Sequence, residues 1–223
     1  MPIAFLDLAQ NCAPTVAADT LAGVVSLESG FDPFAIRITD PAPLSRKPSS
    51  NSEAIEIATS LAAERQDIQL GLGGISTEQL RKLNLRISEA FDPCRNIQAT
   101  ATLLDEYYRL AVKAGADSDQ ADQLMLQSYY GRGNPSVGSL VHYDDQVEEE
   151  VNRLGRALAT VMIGDGGQGG GNTEESPVEV AVETATTDRR ADETASAPSW
   201  DVFSLRRRSS VLVFQNSQME QSE

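Results

Sequence analysis

Leu21-Ala22-Gly23-Val24-Val25-Ser26-Leu27-Glu28-Ser29-Gly30-Phe31-Asp32-Pro33 reads as the end of a helix carrying one residue that its period does not explain. Leu21, Val24, Val25 and Glu28 stand at i, i+3, i+4 and i+7, so a carboxylate occupies a position that the 3.6-residue period assigns to the apolar face. A carboxyl group held there is partly desolvated, which disfavours its ionised form and suits a general acid working near neutral pH. The alternative is that Glu28 sits in a last turn whose faces fray into solvent, and one helix cannot decide between the two. Gly30 is placed for the left-handed residue past the helix end, and Pro33 prevents resumption.

Outward from this stretch the pattern stays helical. Thr15 is a candidate cap for the same helix. A second helix is expected from about Ser52 to Arg65, burying Ala54, Ile57, Ala58 and Leu61. Gln69 to Ile75, rich in glycine with alternating leucine, suggests a short strand or turn. Ser76 with Gln79 has the form of a capping box and opens a short helix to Leu83. Asp92-Pro93 starts a long helix through Ala114, closed by Gly115, and Ser118 caps another to about Tyr130. A last helix from about Ser136 to Ile163 puts Leu140, Val147, Val151, Leu154 and Leu158 near one face. The expected fold is mainly α with a small β element.

Composition excludes several functions. The 223 residues carry 18 Lys and Arg against 33 Asp and Glu, a net charge of −15, so the clustered basic charge of a nucleic-acid binder is lacking. The longest apolar run, Ala157 to Ile163, is far short of a membrane-spanning helix. Ile3 to Ala9 is short, interrupted by Asp7 and preceded by no Lys or Arg, and does not read as an export signal. His142 is the only histidine, which removes multi-histidine metal sites, and it is expected to be a partly buried polar side chain. Gly71, Gly73 and Gly74 lack the Lys-Ser/Thr ending of a phosphate loop.

At Gly164 the composition changes. Gly164 to Gly171 has six glycines in eight positions, and polar and acidic residues follow up to Pro198. The expected organisation is a folded domain over 1–163, a disordered linker over 164–198 and a short interaction tail over 199–223. The tail holds Ser199-Trp200-Asp201-Val202-Phe203 and Val211-Leu212-Val213-Phe214, apolar clusters in a polar setting that suggest partner recognition. A hairpin folding back on the domain, or a sticky end without function, is the other reading.

Glu28-Ser29-Gly30 ending a helix, followed by Phe31-Asp32-Pro33, resembles the catalytic signature of the lysozyme-like soluble lytic transglycosylases. Cys12-Ala13-Pro14-Thr15-Val16 together with Leu21 to Gly30 more narrowly resembles the specialised lytic transglycosylase subunit of type IV secretion systems. Leu70-Gly71-Leu72-Gly73-Gly74-Ile75, Phe91-Asp92-Pro93-Cys94 with Asn96, and Ser128-Tyr129-Tyr130-Gly131 resemble that family's later motifs in the right order. The likeness covers about residues 8 to 155. Each motif alone is weak; four in order at compatible spacing are specific.

The resemblance implies a lysozyme-like domain that cleaves the β-1,4 bond between N-acetylmuramic acid and N-acetylglucosamine in peptidoglycan without net hydrolysis. Glu28 would protonate the glycosidic oxygen and then, as a base, take the proton of the muramyl 6-hydroxyl, which closes a 1,6-anhydro ring. Assistance by the substrate's acetamido group replaces the second carboxylate of an ordinary glycosidase. Ser29, Leu72, Gly73, Gly74, Ile75, Tyr129 and Tyr130 would contact the glycan. Ser29 could instead bond its own backbone, and Tyr129 could be an interfacial core residue. Gly74 departs from the family's common Gln, and Tyr130 from its commoner Asn. Cys12 and Cys94 are either a disulfide closing a long loop or two buried thiols, and the resemblance favours the disulfide. It implies no cofactor and no metal. The partners it implies are peptidoglycan strands and, through the tail, other secretion-channel subunits, in the periplasm or cell envelope. A catalytically weak peptidoglycan-binding scaffold and a hydrolytic lysozyme are the alternatives.

Overall fold

The structure is a computed structural model that describes residues 2–39, 44 and 46–164. The expected linker, apart from Gly164, and the expected tail lie outside the described residues.

The chain begins with β1 (Ile3–Ala4) and α1 (Phe5–Cys12), then α2 (Ala18–Ser29), β2 (Ile36–Ile38) and α3 (Asn51–Ala63). β3 (Ile68–Leu70) and β4 (Ile75–Ser76) follow, then α4 (Thr77–Lys82), α5 (Ile87–Ala90) and α6 (Pro93–Lys113). α7 (Ser118–Tyr130), α8 (Pro135–Leu140), α9 (Tyr143–Leu154), a 3₁₀ turn (Gly155–Thr160) and β5 (Met162–Ile163) complete it. The fold is mainly helical with a small sheet, as the periodicity predicts.

α6 is the axis of the core. Asp92 caps it by accepting from the Arg95 amide at 2.8 Å, and Pro93 sits in its first turn, where a missing N–H costs nothing. Its buried face, with Ile97, Leu103 and Leu104 fully enclosed, packs against α1, α2, α5 and α7. The expected capping box holds: Ser76 Oγ accepts from the Gln79 amide and Gln79 Oε1 from the Ser76 amide, which turns β4 directly into α4. The sheet has the order β2-β3-β4, antiparallel throughout, with Arg37 opposite Gln69 and Leu70 opposite Ile75. β1 pairs antiparallel with β5, Ile3 opposite Ile163, so the start of the domain is tied to its end.

Five expectations are corrected. Thr15 is exposed and does not cap α2, which starts at Ala18 behind Ala17 with no side-chain cap. Asp117 rather than Ser118 caps α7, because its Oδ1 accepts from the Gln120 amide at 2.9 Å. The second helix buries Ala54 and Ala58 fully, but Ile57 and Leu61 only partly. The expected single helix over 136–163 is two helices, a 3₁₀ turn and the strand β5, the first break falling where His142 adopts a left-handed backbone with φ of 53°. The break lets α9 turn back along α2, with Tyr143 taking the buried position that Leu140, 81% exposed, was expected to hold. His142 itself points outward, its side chain 77% exposed and 3.4 Å from Asp145.

Cys12 at the end of α1 and Cys94 in the first turn of α6 form a disulfide across 82 residues of chain, with Cα atoms 5.4 Å apart. A loop of that length gives a chain-entropy stabilisation of about 4 kcal/mol. Replacing both cysteines by alanine is expected to lower the unfolding free energy by ~2–5 kcal/mol in urea titration, and reductant should have no further effect on that variant.

Candidate active site

Glu28 lies in the last turn of α2, with its side chain only 5% exposed. The helix stops there because Gly30 takes the left-handed conformation (φ 61°) and returns its amide to the Ser26 carbonyl. The stripe that begins at Leu21 therefore ends in a carboxylate pressed against the core. Three other elements close around it.

α9 supplies Tyr143, whose hydroxyl donates to Glu28 Oε1 at 2.7 Å. Gly23 makes this approach possible, since a Cβ there would lie 2.9 Å from methyl groups of both Val147 and Val151. Ser26 donates to Glu150, which also pairs with Arg153, and this binds α9 to α2 a second time. β2 supplies Arg37, whose Nη1 donates to Glu28 Oε2 at 3.0 Å and whose Nη2 donates to the carbonyls of Leu27 and Glu28 at 2.9 and 2.6 Å. The turn between β3 and β4 supplies Gly74. Its φ is +63°, and an added Cβ would stand 2.7 Å from Glu28 Oε2, so the loop backbone lies against the carboxylate itself.

Asn96, buried in α6, holds that turn in place. Its Oδ1 accepts from the Gly73 amide at 2.7 Å, and its Nδ2 donates to the carbonyls of Leu70 and Ala90 at 3.0 and 2.8 Å. Tyr129 donates to the Gly73 carbonyl at 2.5 Å. Glycine's absent side chain brings the loop close, and buried polar groups fix it there.

Burial raises the pKa of Glu28 above the ordinary carboxylate value; Arg37, the Tyr143 hydroxyl and the more distant Arg132 oppose that rise without cancelling it. Tyr143 is pushed well above the usual phenol range, first by burial and then by the Glu28 charge, so it remains a proton-bearing donor. Burial likewise raises Tyr129.

The carboxylate opens on a cleft of about 300 Å³ walled by Ser29, Asp32, Arg37, Lys47, Gln69 and Gly74 among others. A second depression of about 410 Å³ shares Arg37, Ile38 and Gln69 with it and continues past Tyr130 and Arg132. Tyr130 is partly exposed there and rests on Tyr143, ring centroids 4.9 Å apart.

The structure thus brings Glu28, Ser29, Gly74 and Tyr130 to one cleft system and leaves others out of it. Leu72 and Ile75 are fully buried in the core, because the turn they belong to is pinned inward by Asn96. Gly73 is enclosed beside Thr100, and Tyr129 is a buried support of the loop rather than a phenol in the cleft. Ser29 Oγ donates to the Val25 carbonyl at 3.0 Å, the own-backbone bond left open above. Arg37 and Tyr143 were missed in the sequence. The signals were present: Ile36-Arg37-Ile38 alternates as a strand does, and Tyr143, Val147, Val151 and Leu154 repeat at helical spacing.

Over 136 residues the chain is 39% identical to the type IV secretion system protein VirB1 of Brucella suis, a match covering 61% of this chain and 57% of that one. Over 153 residues it is 28% identical to VirB1 of Agrobacterium fabrum, covering 67% of this chain and 60% of the relative. Both relatives carry the name VirB1. The resemblance to the secretion-associated branch is borne out by these relatives, of whose length the chain spans about three fifths. No protein-family model matches the chain, and no solved structure does.

The carboxylate has a cost in stability that can be measured. Because the raised pKa means that ionised Glu28 opposes folding, its stabilising contribution is complete below the ordinary carboxylate pKa and is lost as pH rises through the raised one. Glu28→Gln is therefore expected to raise the melting temperature at pH 7, with the gain vanishing as pH falls below the ordinary carboxylate range.

Proposed function

We propose that this protein is a peptidoglycan lytic transglycosylase that cleaves between N-acetylmuramic acid and N-acetylglucosamine and leaves a 1,6-anhydromuramyl end. The observation that carries this reading is Glu28, a carboxyl group buried in the wall of an open cleft, raised in pKa and aimed by donors from two separate elements. Glu28 gives its proton to the glycosidic oxygen, and the bond from C1 to that oxygen breaks with its electron pair on the leaving sugar. The carboxylate then takes the proton of the C6 hydroxyl, whose oxygen bonds to C1. No water is consumed, and Glu28 ends protonated, ready for another cycle.

Tyr143 and Arg37 orient the carboxylate, while Tyr130, partly exposed at the edge of the second depression, offers an aromatic face to a sugar. The names of the relatives support a setting at a type IV secretion apparatus. There the enzyme opens the cell wall locally, in the periplasm or envelope, and the segment 199–223 engages other channel subunits. Capture of those subunits by the full chain, lost when 199–223 is deleted, is the expected result of a pull-down.

A second reading is hydrolysis. It is favoured by Asp32, which lines the same cleft with Oδ1 held by the Phe34 amide at 2.9 Å and could serve as the second carboxylate of a water-using glycosidase. The products decide between the two. Purified protein incubated with peptidoglycan is expected to release 1,6-anhydromuramyl fragments by mass spectrometry, and Glu28→Gln to lower that release by about 10²-fold or more. Reducing-end products would assign hydrolysis instead, and binding without products would assign a scaffold. Gly74→Gln, which installs the residue common in the resembling family, is expected to lower the rate as well, because its Cβ displaces the Glu28 carboxylate.

A further inference from the structure

Glu28 faces two demands that pull its chemistry apart. As the acid it must bind a proton at working pH, and as the base it must then hold a negative charge long enough to take one from a hydroxyl. A carboxyl group answering to burial alone meets only the first demand.

Among the described residues, Arg37 is the one cation within hydrogen-bond reach of Glu28. Its guanidinium also bridges the Leu27 and Glu28 carbonyls, which are otherwise orphaned at the C-terminal end of α2, where the helix dipole favours a cation. Every one of these bonds comes from the opposite strand rather than from α2, so the placement depends on β2 and its register with β3. The Arg37 side chain is 45% exposed and lines both depressions. The other titratable or charged groups that face Glu28 are Tyr143 from α9, Tyr129 from α7 and, at longer range, Arg132 beyond α7; Asp32 and Lys47 share its cleft. Arg132 is itself taken up by Asp67, with Nη1 2.7 and 2.8 Å from the two carboxylate oxygens.

We propose that Arg37 is the positioning residue that lets one carboxylate serve in both proton transfers: its fork fixes the last turn of α2 and supplies the counter-charge that burial withholds from Glu28. This rests on the reading of Glu28 as acid and base of an anhydro-forming cleavage. Arg37 touches neither transferred proton. It balances the desolvated carboxylate between the two states, and a lysine, which keeps the charge but lacks the planar fork, preserves only the electrostatic half of the role.

The test is an NMR titration of the full chain labelled with ¹³C at the glutamate carboxyls, the Glu28 signal being assigned by its loss in Glu28→Gln. In Arg37→Gln the Glu28 midpoint is expected to rise by at least about one pH unit. The alkaline limb of kcat for anhydromuropeptide release is expected to move up with it, because the acid form persists to higher pH. In Arg37→Lys the midpoint is expected to stay near that of wild type while kcat falls at every pH, and this variant carries the test should Arg37→Gln not fold. An active wild type with an unmoved midpoint in a folded Arg37→Gln, or a midpoint in Arg37→Lys displaced far from wild type, overturns the role of Arg37 alone. A wild type that releases no anhydro products overturns the premise, whatever the titration shows.

Discussion

A carboxylate removed from water must be given back its lost interactions, and the domain is arranged around doing so for Glu28. Tyr143 provides one hydrogen bond and Arg37 provides charge and a second, from helix and strand respectively, while the Gly74 backbone excludes solvent on a third side. These groups restore part of the solvation and leave the group less willing to ionise than a surface glutamate. That residual cost favours the protonated form of Glu28 relative to an exposed carboxyl, the property the proposed acid role requires.

Holding three elements to one side chain needs a rigid frame. α6 provides it: Asn96 projects from its first turns into the 71–74 loop, and every polar atom of its amide is used. The same end of α6 is cross-linked to α1 through Cys94, so the residue that holds the loop stands two positions from a covalent tie. On the other side Gly23 allows α9 to lie close along α2, and the Ser26 bond to Glu150 keeps it there. No buried side-chain nitrogen or oxygen among the described residues is left without a partner. A polar site inside an apolar core is tolerable only under that condition.

Gly74 shows how a departure from a family pattern can be resolved. In the sequence it is a missing polar side chain in a cleft. In the structure a left-handed glycine permits the loop to rest on the carboxylate, and the space a glutamine would need is already occupied by Glu28. The same turn explains why its apolar members, Leu72 and Ile75, belong to the core: Asn96 draws the backbone inward and their side chains follow.

The sequence by itself determined what depends on neighbours a few residues away. Periodicity placed α2, α6 and α7, Asp92-Pro93 and Ser76 with Gln79 marked helix starts, Gly30 marked a helix end, and the stripe from Leu21 singled out Glu28 as a carboxylate on an apolar face. Only the tertiary structure decided whether that face was buried and what met it there. Glu28 is nine residues from Arg37 and 115 from Tyr143, and local pattern carries no term for contacts made by a strand returning across a helix end or by a helix reversing direction. The reversal itself turns on His142 entering the left-handed region, a conformation uncommon for any residue but glycine and accompanied here by the packing of α9 on α2. Local pattern supplied a carboxylate on an apolar face, and long-range packing selected the groups that meet it.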